Sequence, residues 1–170
     1  MKRIFWILLL PVLAAGLDSR AAEPVIFTRH YAERGSYRDV PRPGEEARLL
    51  EFFAAPGEYE PVQLLIRSAE PVARVSVAMT GDWRNGDAVI AKDSVEIRRV
   101  ADQAHWLDPR RFERLPYLLL PDREFPLRPD ETERVWLTVK VPEHAAPGVY
   151  ESQLEVAVDG TVIRTIPLRL

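Results

Sequence analysis

One acidic run, Asp130, Glu131 and Glu133, carries side chains that could do acid–base chemistry. Two carboxylates on either side of a reacting bond can serve as a general acid and a general base. The run follows Pro129 and leads directly into an alternating segment that is typical of a strand. Because that setting is typical of a turn before a strand, we interpret the run as a solvated turn and predict no catalytic residue.

Metal and cofactor chemistry has little support in the sequence. The three histidines lie far apart, without the spacing that brings two imidazoles onto one metal ion: His30, His105 and His144. Asp82, Asn85 and Asp87 form the best local set of oxygen ligands for calcium, but they do not match the twelve-residue calcium loop. The sequence therefore predicts no metal and no cofactor.

Nucleophilic catalysis is also unsupported. The sequence contains no Gly-x-Ser-x-Gly elbow, phosphate-binding loop or dinucleotide-binding motif. The absence of cysteine excludes disulfides, thiol catalysis, zinc–thiolate sites and iron–sulfur clusters. We therefore predict that this chain is not an enzyme.

The aromatic residues are the candidates for binding, since a flat ring can stack on a sugar or pack against another domain. Four of them are candidate carbohydrate or domain contacts: Trp83, Trp106, Tyr117 and Trp136. Trp136 is the most informative, because its neighbours on one face of a predicted strand, Arg134 and Thr138, are polar. We expect its ring outside the main core, covered by a long loop, by a following domain or by a sugar.

The segments that must position these residues alternate between apolar and polar side chains with a period of two. The pattern is clearest over residues 62–67, 74–79, 134–141 and 150–158, and weaker over residues 25–31, 47–53, 95–100 and 161–170. After the first residues, no segment keeps the 3.6-residue apolar period of a helix over ten residues. One apolar and one polar face is typical of strands in antiparallel sheets.

Turn residues separate the predicted strands, in four short pairs: Asp159-Gly160, Asn85-Gly86, Pro56-Gly57 and Pro147-Gly148. Asp159 and Gly160 are the only two residues between two predicted strands, which is a strong signal for a tight hairpin. The 15 prolines among 170 residues disfavour helices. We therefore predict an all-β fold, an antiparallel immunoglobulin-like β-sandwich of about eight strands, with a β-barrel as the alternative.

Residues 101–132 depart from this pattern. They contain one short strand candidate, residues 117–120, and several aromatic and histidine side chains, among them His105, Trp106 and Phe112. We predict a long loop that either packs over something or carries function, as long loops in small domains tend to do.

The first 21 residues resemble a secretion signal. Lys2 and Arg3 precede a 12-residue apolar run, and small residues follow up to Ala21. The run is shorter than the roughly 20 apolar residues that a membrane-spanning helix needs. We predict a signal peptide over residues 1–21, a β-sandwich domain over residues 22–170, and a secreted or periplasmic location without membrane attachment after cleavage.

The charge of the chain bears on its partners. The net charge is −3 at pH 7, and removal of residues 1–21 leaves 20 basic and 25 acidic residues, a net charge of −5. Proteins that neutralise nucleic-acid phosphates present basic surfaces. The sequence therefore argues against a nucleic-acid partner.

Three segments carry a resemblance to a known family. They are the sequence FAAPGEYEPV at residues 53–62, VWLTVKVP at residues 135–142 and APGVYESQLEV at residues 146–156. Together they resemble the N-terminal β-sandwich domain that precedes the barrel in large secreted bacterial proteins similar to glycoside hydrolase family 123. The residues also make physical sense as fold determinants, because Tyr150 resembles a tyrosine corner, whose hydroxyl bonds to nearby backbone.

The resemblance implies that catalysis belongs to another part of the parent protein. In that family the catalytic carboxylates lie in a barrel downstream, so no catalytic residue transfers to this chain. An adjacent Asp-Glu pair is the family's catalytic theme, but Asp130-Glu131 lies in the wrong kind of domain. The resemblance thus implies an N-terminal domain alone, as a gene fragment, a truncated chain or a stand-alone relative.

Two functional hypotheses follow. The favoured one is a non-catalytic accessory module of a secreted bacterial glycoside-hydrolase-like protein, which packs against or supports a catalytic barrel absent from this chain. The alternative is a free-standing extracellular module that binds a carbohydrate or another protein through exposed aromatic rings.

Overall fold

The computed structural model describes residues 23–170, so the predicted signal peptide lies outside the described residues. One sheet has five strands, in the spatial order β1 (Val25–Thr28), β3 (Tyr59–Arg67), β10 (Thr132–Lys140), β7 (Val95–Asp108) and β8 (Arg111–Leu120). The other has seven: β2 (Leu50–Glu51), β12 (Thr161–Arg169), β11 (Glu151–Val158), β4 (Val72–Met79) and β9 (Glu124–Leu127), with β5 (Trp83–Asn85) and β6 (Ala88–Ile90) beside β11. A short 3-10 turn, Lys92–Ser94, precedes β7.

The predicted all-β class is confirmed. All strand pairs within the two sheets are antiparallel except β2 and β12, which run parallel. The described residues form twelve strands rather than about eight. The strands that the sequence patterns do not show are β5, β6 and β9, which are only three or four residues long and lie at the margins of the second sheet.

The core lies between the two sheets, where the alternating runs place their apolar side chains. Leu64 and Leu137 face it from the first sheet, and Val77, Leu154 and Ile166 face it from the second. All five are at most 2% exposed. Burial of this apolar area is the main force that stabilises a sandwich of this kind.

The outer face of the first sheet is also covered. Phe27, Leu65 and Arg134 lie side by side on it across three strands, and all are buried. Residues 29–48, here called the cover segment, pass over this face. The backbone N–H of Thr132 donates to the Tyr37 carbonyl (2.8 Å), and its hydroxyl donates to the Asp39 carbonyl (2.6 Å).

A buried ion pair links the beginning of the cover segment to its end. Arg29 donates to both carboxylate oxygens of Glu45 at 2.7 Å, and it lies 3.3 Å from Asp39. The hydrogen bond from Arg29 lowers the pKa of Glu45 to about 2. The glutamate therefore stays charged at neutral pH and fastens the two ends of the segment.

The resemblance motifs have structural roles. The Tyr150 ring is buried, and its hydroxyl donates to the Ala146 carbonyl at 2.9 Å, as the tyrosine-corner interpretation predicts. Gly148 has a φ of 149°, and a Cβ there would meet the Asn85 amide nitrogen at 2.0 Å. The loop before β11 therefore requires glycine at this position, where it packs on the β5–β6 turn.

The Asp159-Gly160 hairpin is confirmed. Asp159 and Gly160 have φ values of 48° and 86°, and Val158 pairs directly with Thr161. Two consecutive positive φ angles match the tight turn whose twist fits antiparallel strands.

The prediction of a loop over residues 101–132 is wrong. Residues 101–120 form the outer half of the β7–β8 hairpin, and β9 follows within the same stretch. Since β7 pairs with β10 only over residues 95–100, residues 101–118 of this hairpin extend beyond β10. Residues 101–120 are here called the arm. None of its residues is buried, so no apolar alternation marks its strands in the sequence.

Candidate functional site

The structure separates the four aromatic residues predicted to contact a ligand or another domain. Trp83 is fully buried between the sheets, where its ring packs edge-to-face against Phe52 at 5.8 Å. The interpretation of Trp83 as a contact residue is therefore wrong. β5 continues the line of β4 along β11, and this position turns the ring into the core rather than toward solvent.

Trp106 lies near the tip of the arm and is 74% exposed. It forms a cross-strand pair with Phe112, with 5.8 Å between the ring centroids. Tyr117 is 59% exposed on β8, and its ring lies 5.1 Å from that of His105. The arm thus presents two aromatic pairs to its surroundings.

The arm also presents an extended apolar surface. Six large apolar side chains on it are at least two-fifths exposed: Trp106, Leu107, Phe112, Tyr117, Leu118 and Leu119. We call this set the arm patch. The six lie on both faces of the arm, because neighbours in a strand such as Trp106 and Leu107 point to opposite sides. Single exposed apolar residues are common on soluble domains, but so many large ones on one hairpin are typical of an interaction surface.

Tyr117 and Trp136 line one groove on the outer face of the first sheet. Trp136 lies opposite the core-facing Val135 and Leu137, as its polar strand neighbours predicted. Tyr31 of the cover segment completes the aromatic lining, with its ring at 73° to that of Trp136 and 6.1 Å between centroids. The groove, here called the aromatic groove, has a volume of about 410 Å³.

Sequence reasoning missed Tyr31. It is the last residue of the weakly alternating run 25–31, and it lies just beyond the end of β1, where that pattern no longer shows which way a side chain points. Its aromatic type was the only available signal. The fold alone brings it against a tryptophan that is 105 positions away in the sequence.

Polar side chains complete the aromatic groove. Gln63 lies beside Trp136 on the neighbouring strand, and its amide donates to the His30 carbonyl at 3.0 Å. Arg134 is buried at the groove and donates to the Asp102 carboxylate at 2.5 Å. Gly35 of the cover segment packs so closely on Arg134 that an added Cβ would meet the guanidinium at 2.2 Å.

The charges of the groove are internally matched. Arg134 pairs with Asp102 as described, Glu33 lies 3.1 Å from Arg42, and Arg34 lies 3.2 Å from Glu113. Each ionised side chain that lines the groove thus has an opposite charge within reach. The groove offers aromatic surface and hydrogen-bonding groups rather than a net charge.

The acidic run differs in part from the predicted solvated turn. Asp130 fits it, with a φ of 58° and a side chain that is 75% exposed and paired with Arg67. Glu131 and Glu133 are largely covered and lie 3.0 Å and 3.5 Å from Arg114 and Arg99.

Burial raises the pKa of Glu133, and the nearby Arg99 opposes that change. The run therefore belongs to an arginine network at the base of the arm.

The polar clusters show no converging metal ligands among residues 23–170. In the cluster considered for calcium, one Asp82 carboxylate oxygen accepts a hydrogen bond from the Lys92 backbone at 2.9 Å. Within the same described range, no helix has the length and apolar character needed to cross a membrane.

Comparisons with known proteins agree with the fold. A family model described as the glycoside hydrolase 123 N-terminal domain matches residues 38–158. A solved structure of a family 123 glycoside hydrolase from Clostridium perfringens, studied for glycolipid glycan hydrolysis, is similar at a TM-score of 0.75 and 15% identity. The similarity covers 87% of this chain but only 27% of that enzyme.

Two further solved structures are less similar. A PapD-like domain of human CEP192 gives a TM-score of 0.38 at 12% identity, covering 81% of this chain and 95% of that one. The N-terminal domain of PorA gives a TM-score of 0.37 at 13% identity, covering 86% of this chain and 95% of that one. No curated protein sequence matches the chain.

Proposed function

Because the chain belongs to the glycoside hydrolase 123 N-terminal domain family, we propose that it is a non-catalytic accessory module of a secreted bacterial protein. In this proposal it packs against and supports a catalytic domain of the same protein. The likeness to about a quarter of a family 123 enzyme supports a parent protein with further domains. The part of the proposal that concerns secretion rests on the signal peptide predicted over residues 1–21.

The observation that carries the proposal is the arm patch. Tryptophan, tyrosine and phenylalanine are enriched at the centres of protein interfaces, together with arginine. The arm holds Trp106, Phe112 and Tyr117 beside Arg110 and Arg111. An arm with no buried residue of its own gains apolar burial only from a second surface, which in this proposal is the catalytic domain.

The described carboxylates near the arm do not suit catalysis. Asp102, Glu131 and Glu133 each lie within 3.5 Å of an arginine side chain. These charges hold the base of the arm against β10 and the residues just before it. A module of this kind contributes shape and stability rather than acid–base chemistry.

The proposal is tested with Trp106→Lys in two settings: this chain alone, and the protein as its own organism makes it. A lysine at a 74%-exposed position leaves the melting temperature of the isolated chain unchanged. In the natural protein we expect a clear loss of thermal stability, because the lysine must be buried without a partner at the interface.

The control is Val162→Lys, a 48%-exposed residue of β12 that lies away from the arm. It should leave the melting temperature unchanged both in this chain alone and in the natural protein. An immunoblot of the natural protein gives its size and shows whether residues 1–21 are removed. A species no larger than this chain, or a Trp106→Lys effect equal to that of Val162→Lys in the natural protein, contradicts the proposal.

A further inference from the structure

We propose that the aromatic groove binds one pyranose ring of a neutral carbohydrate. A pyranose has faces of C–H groups, which stack on aromatic rings, and a rim of hydroxyls, which need hydrogen-bonding partners. The groove offers both kinds of surface within about 410 Å³, which is in the range of small-molecule sites. One wall of the groove, Tyr117, belongs to the arm, but the inference does not depend on a catalytic domain.

The arrangement of the rings supports a saturated ring as the ligand. Tyr31 and Trp136 stand at 73° to each other, so they form two walls of a corner rather than a single flat stack. Tyr117 lines the same groove from β8. A compact ring that enters the corner contacts more than one aromatic surface, whereas an extended peptide strand gains little from it.

The polar lining supports a ligand rich in hydroxyls. Gln63 and Arg134 are buried at the groove, and both are held by hydrogen bonds to neighbouring groups. Side chains fixed in this way can bind a ligand without first losing their own freedom of motion. A purely apolar occupant would leave these polar groups facing a surface that offers them no hydrogen bonds.

The matched charges indicate that the carbohydrate is neutral. The Arg134 guanidinium is already paired with Asp102, and Arg34 and Glu33 have partners at 3.2 Å and 3.1 Å. A sugar acid or a phosphate would need to break one of these pairs in order to gain a counter-ion. A neutral ring leaves them intact.

The experiment is a titration of the purified chain with methyl β-D-glucopyranoside and methyl β-D-galactopyranoside, followed by saturation-transfer NMR and tryptophan fluorescence. We expect saturation transfer to the ring protons of at least one glycoside and a change in Trp136 emission. Trp136→Ala and Tyr117→Ala should each weaken binding by about tenfold or more, as loss of a central aromatic contact does.

Trp106→Ala is the matched control, because it removes an exposed tryptophan of the same arm that does not line the groove. It should leave the affinity unchanged. Tyr117→Ala keeps the test decisive if Trp136→Ala fails to fold, since Tyr117 is exposed. The proposal is overturned if neither glycoside shows transfer, if Tyr117→Ala leaves the affinity unchanged, or if Trp106→Ala weakens binding as much as Tyr117→Ala does.

Discussion

The β11–β12 hairpin and the arm are both long antiparallel hairpins, but different forces hold them in place. β11 and β12 place Leu154, Val156, Ile166 and Leu168 between the two sheets, where each is at most 2% exposed. The arm buries none of its residues. It is attached through ion pairs at its base and middle, and its apolar side chains face outward.

The difference shows that hydrogen-bonded strand pairing does not by itself reveal what stabilises a hairpin. A core hairpin is fixed by apolar burial on one face, so the loss of a single methyl group lowers the stability of the fold. The arm depends on a few charged contacts with the cover segment and β10. The substitutions considered below each alter either the core hairpin or the arm and its base.

The largest effect is expected from Asp102→Ala, at the base of the arm. It leaves the Arg134 guanidinium buried without its carboxylate, which should lower the free energy of unfolding by about 3–5 kcal/mol. Denaturation in guanidinium chloride measures the change. Asp122→Ala is the control, because Asp122 pairs with Arg99 from a 44%-exposed position and should cost at most about 1 kcal/mol. Equal effects of the two variants would refute a buried ion pair at the base.

Leu154→Ala and Leu118→Ala compare the two hairpins directly. Leu154 is fully buried in the core, so its truncation should cost about 2–5 kcal/mol. Leu118 is 51% exposed on the arm, and its truncation should change the stability by about 0.5 kcal/mol or less. Urea denaturation of both variants supplies the comparison. A large loss with Leu118→Ala would mean that the arm folds back onto the domain in solution.

The contrast between the hairpins also explains how much of the fold the sequence predicts. β10 and β11 alternate cleanly because one face of each lies on the core, and the Asp159-Gly160 turn fixes the hairpin that follows. The arm has no such face. It also contains Pro116 and register shifts in its pairing with β7, so its strands resemble a loop in the sequence.

The candidate site is predicted only in part, because the sequence shows where a side chain points only in strands long enough to alternate. Trp136 is found outside the core because its strand neighbours are polar, and Tyr117 joins it through the arm. Trp83 lies in a three-residue strand, too short for alternation to show that its ring faces inward. Tyr31 belongs to the cover segment, whose position depends on contacts with Arg134 and Thr132 that local sequence does not encode.

A smaller effect is expected from Tyr150→Phe, which tests the start of the core hairpin. The substitution keeps the buried ring and removes only the hydroxyl that donates to the Ala146 carbonyl. The loss of one such hydrogen bond should lower the stability by about 0.5–1.5 kcal/mol. Thermal unfolding gives the value, with the exposed Tyr59→Phe as the control. No change in Tyr150→Phe would mean that the hydroxyl gains nothing from its carbonyl partner.

The smallest effect is a pH dependence at the base of the arm. Glu133 faces Arg99 at 3.5 Å and lies near Asp102 and Glu131, and burial raises its pKa above the ordinary value of 4.5. A raised pKa in the folded state means that the folded chain holds this proton more tightly than the unfolded chain does. The resulting stabilisation is complete below pH 4.5 and is lost as the pH rises through the folded-state pKa.

Glu133→Gln should therefore remove this component, so that its stability falls less than that of the unchanged chain between pH 4 and about pH 7. Glu143→Gln, a change in the loop after β10, is the control and should keep the original slope. If the two variants have the same pH profile, burial does not govern Glu133, and its contact with Arg99 then dominates. The base of the arm would in that case resemble an exposed ion pair, which would sharpen its contrast with the core hairpin.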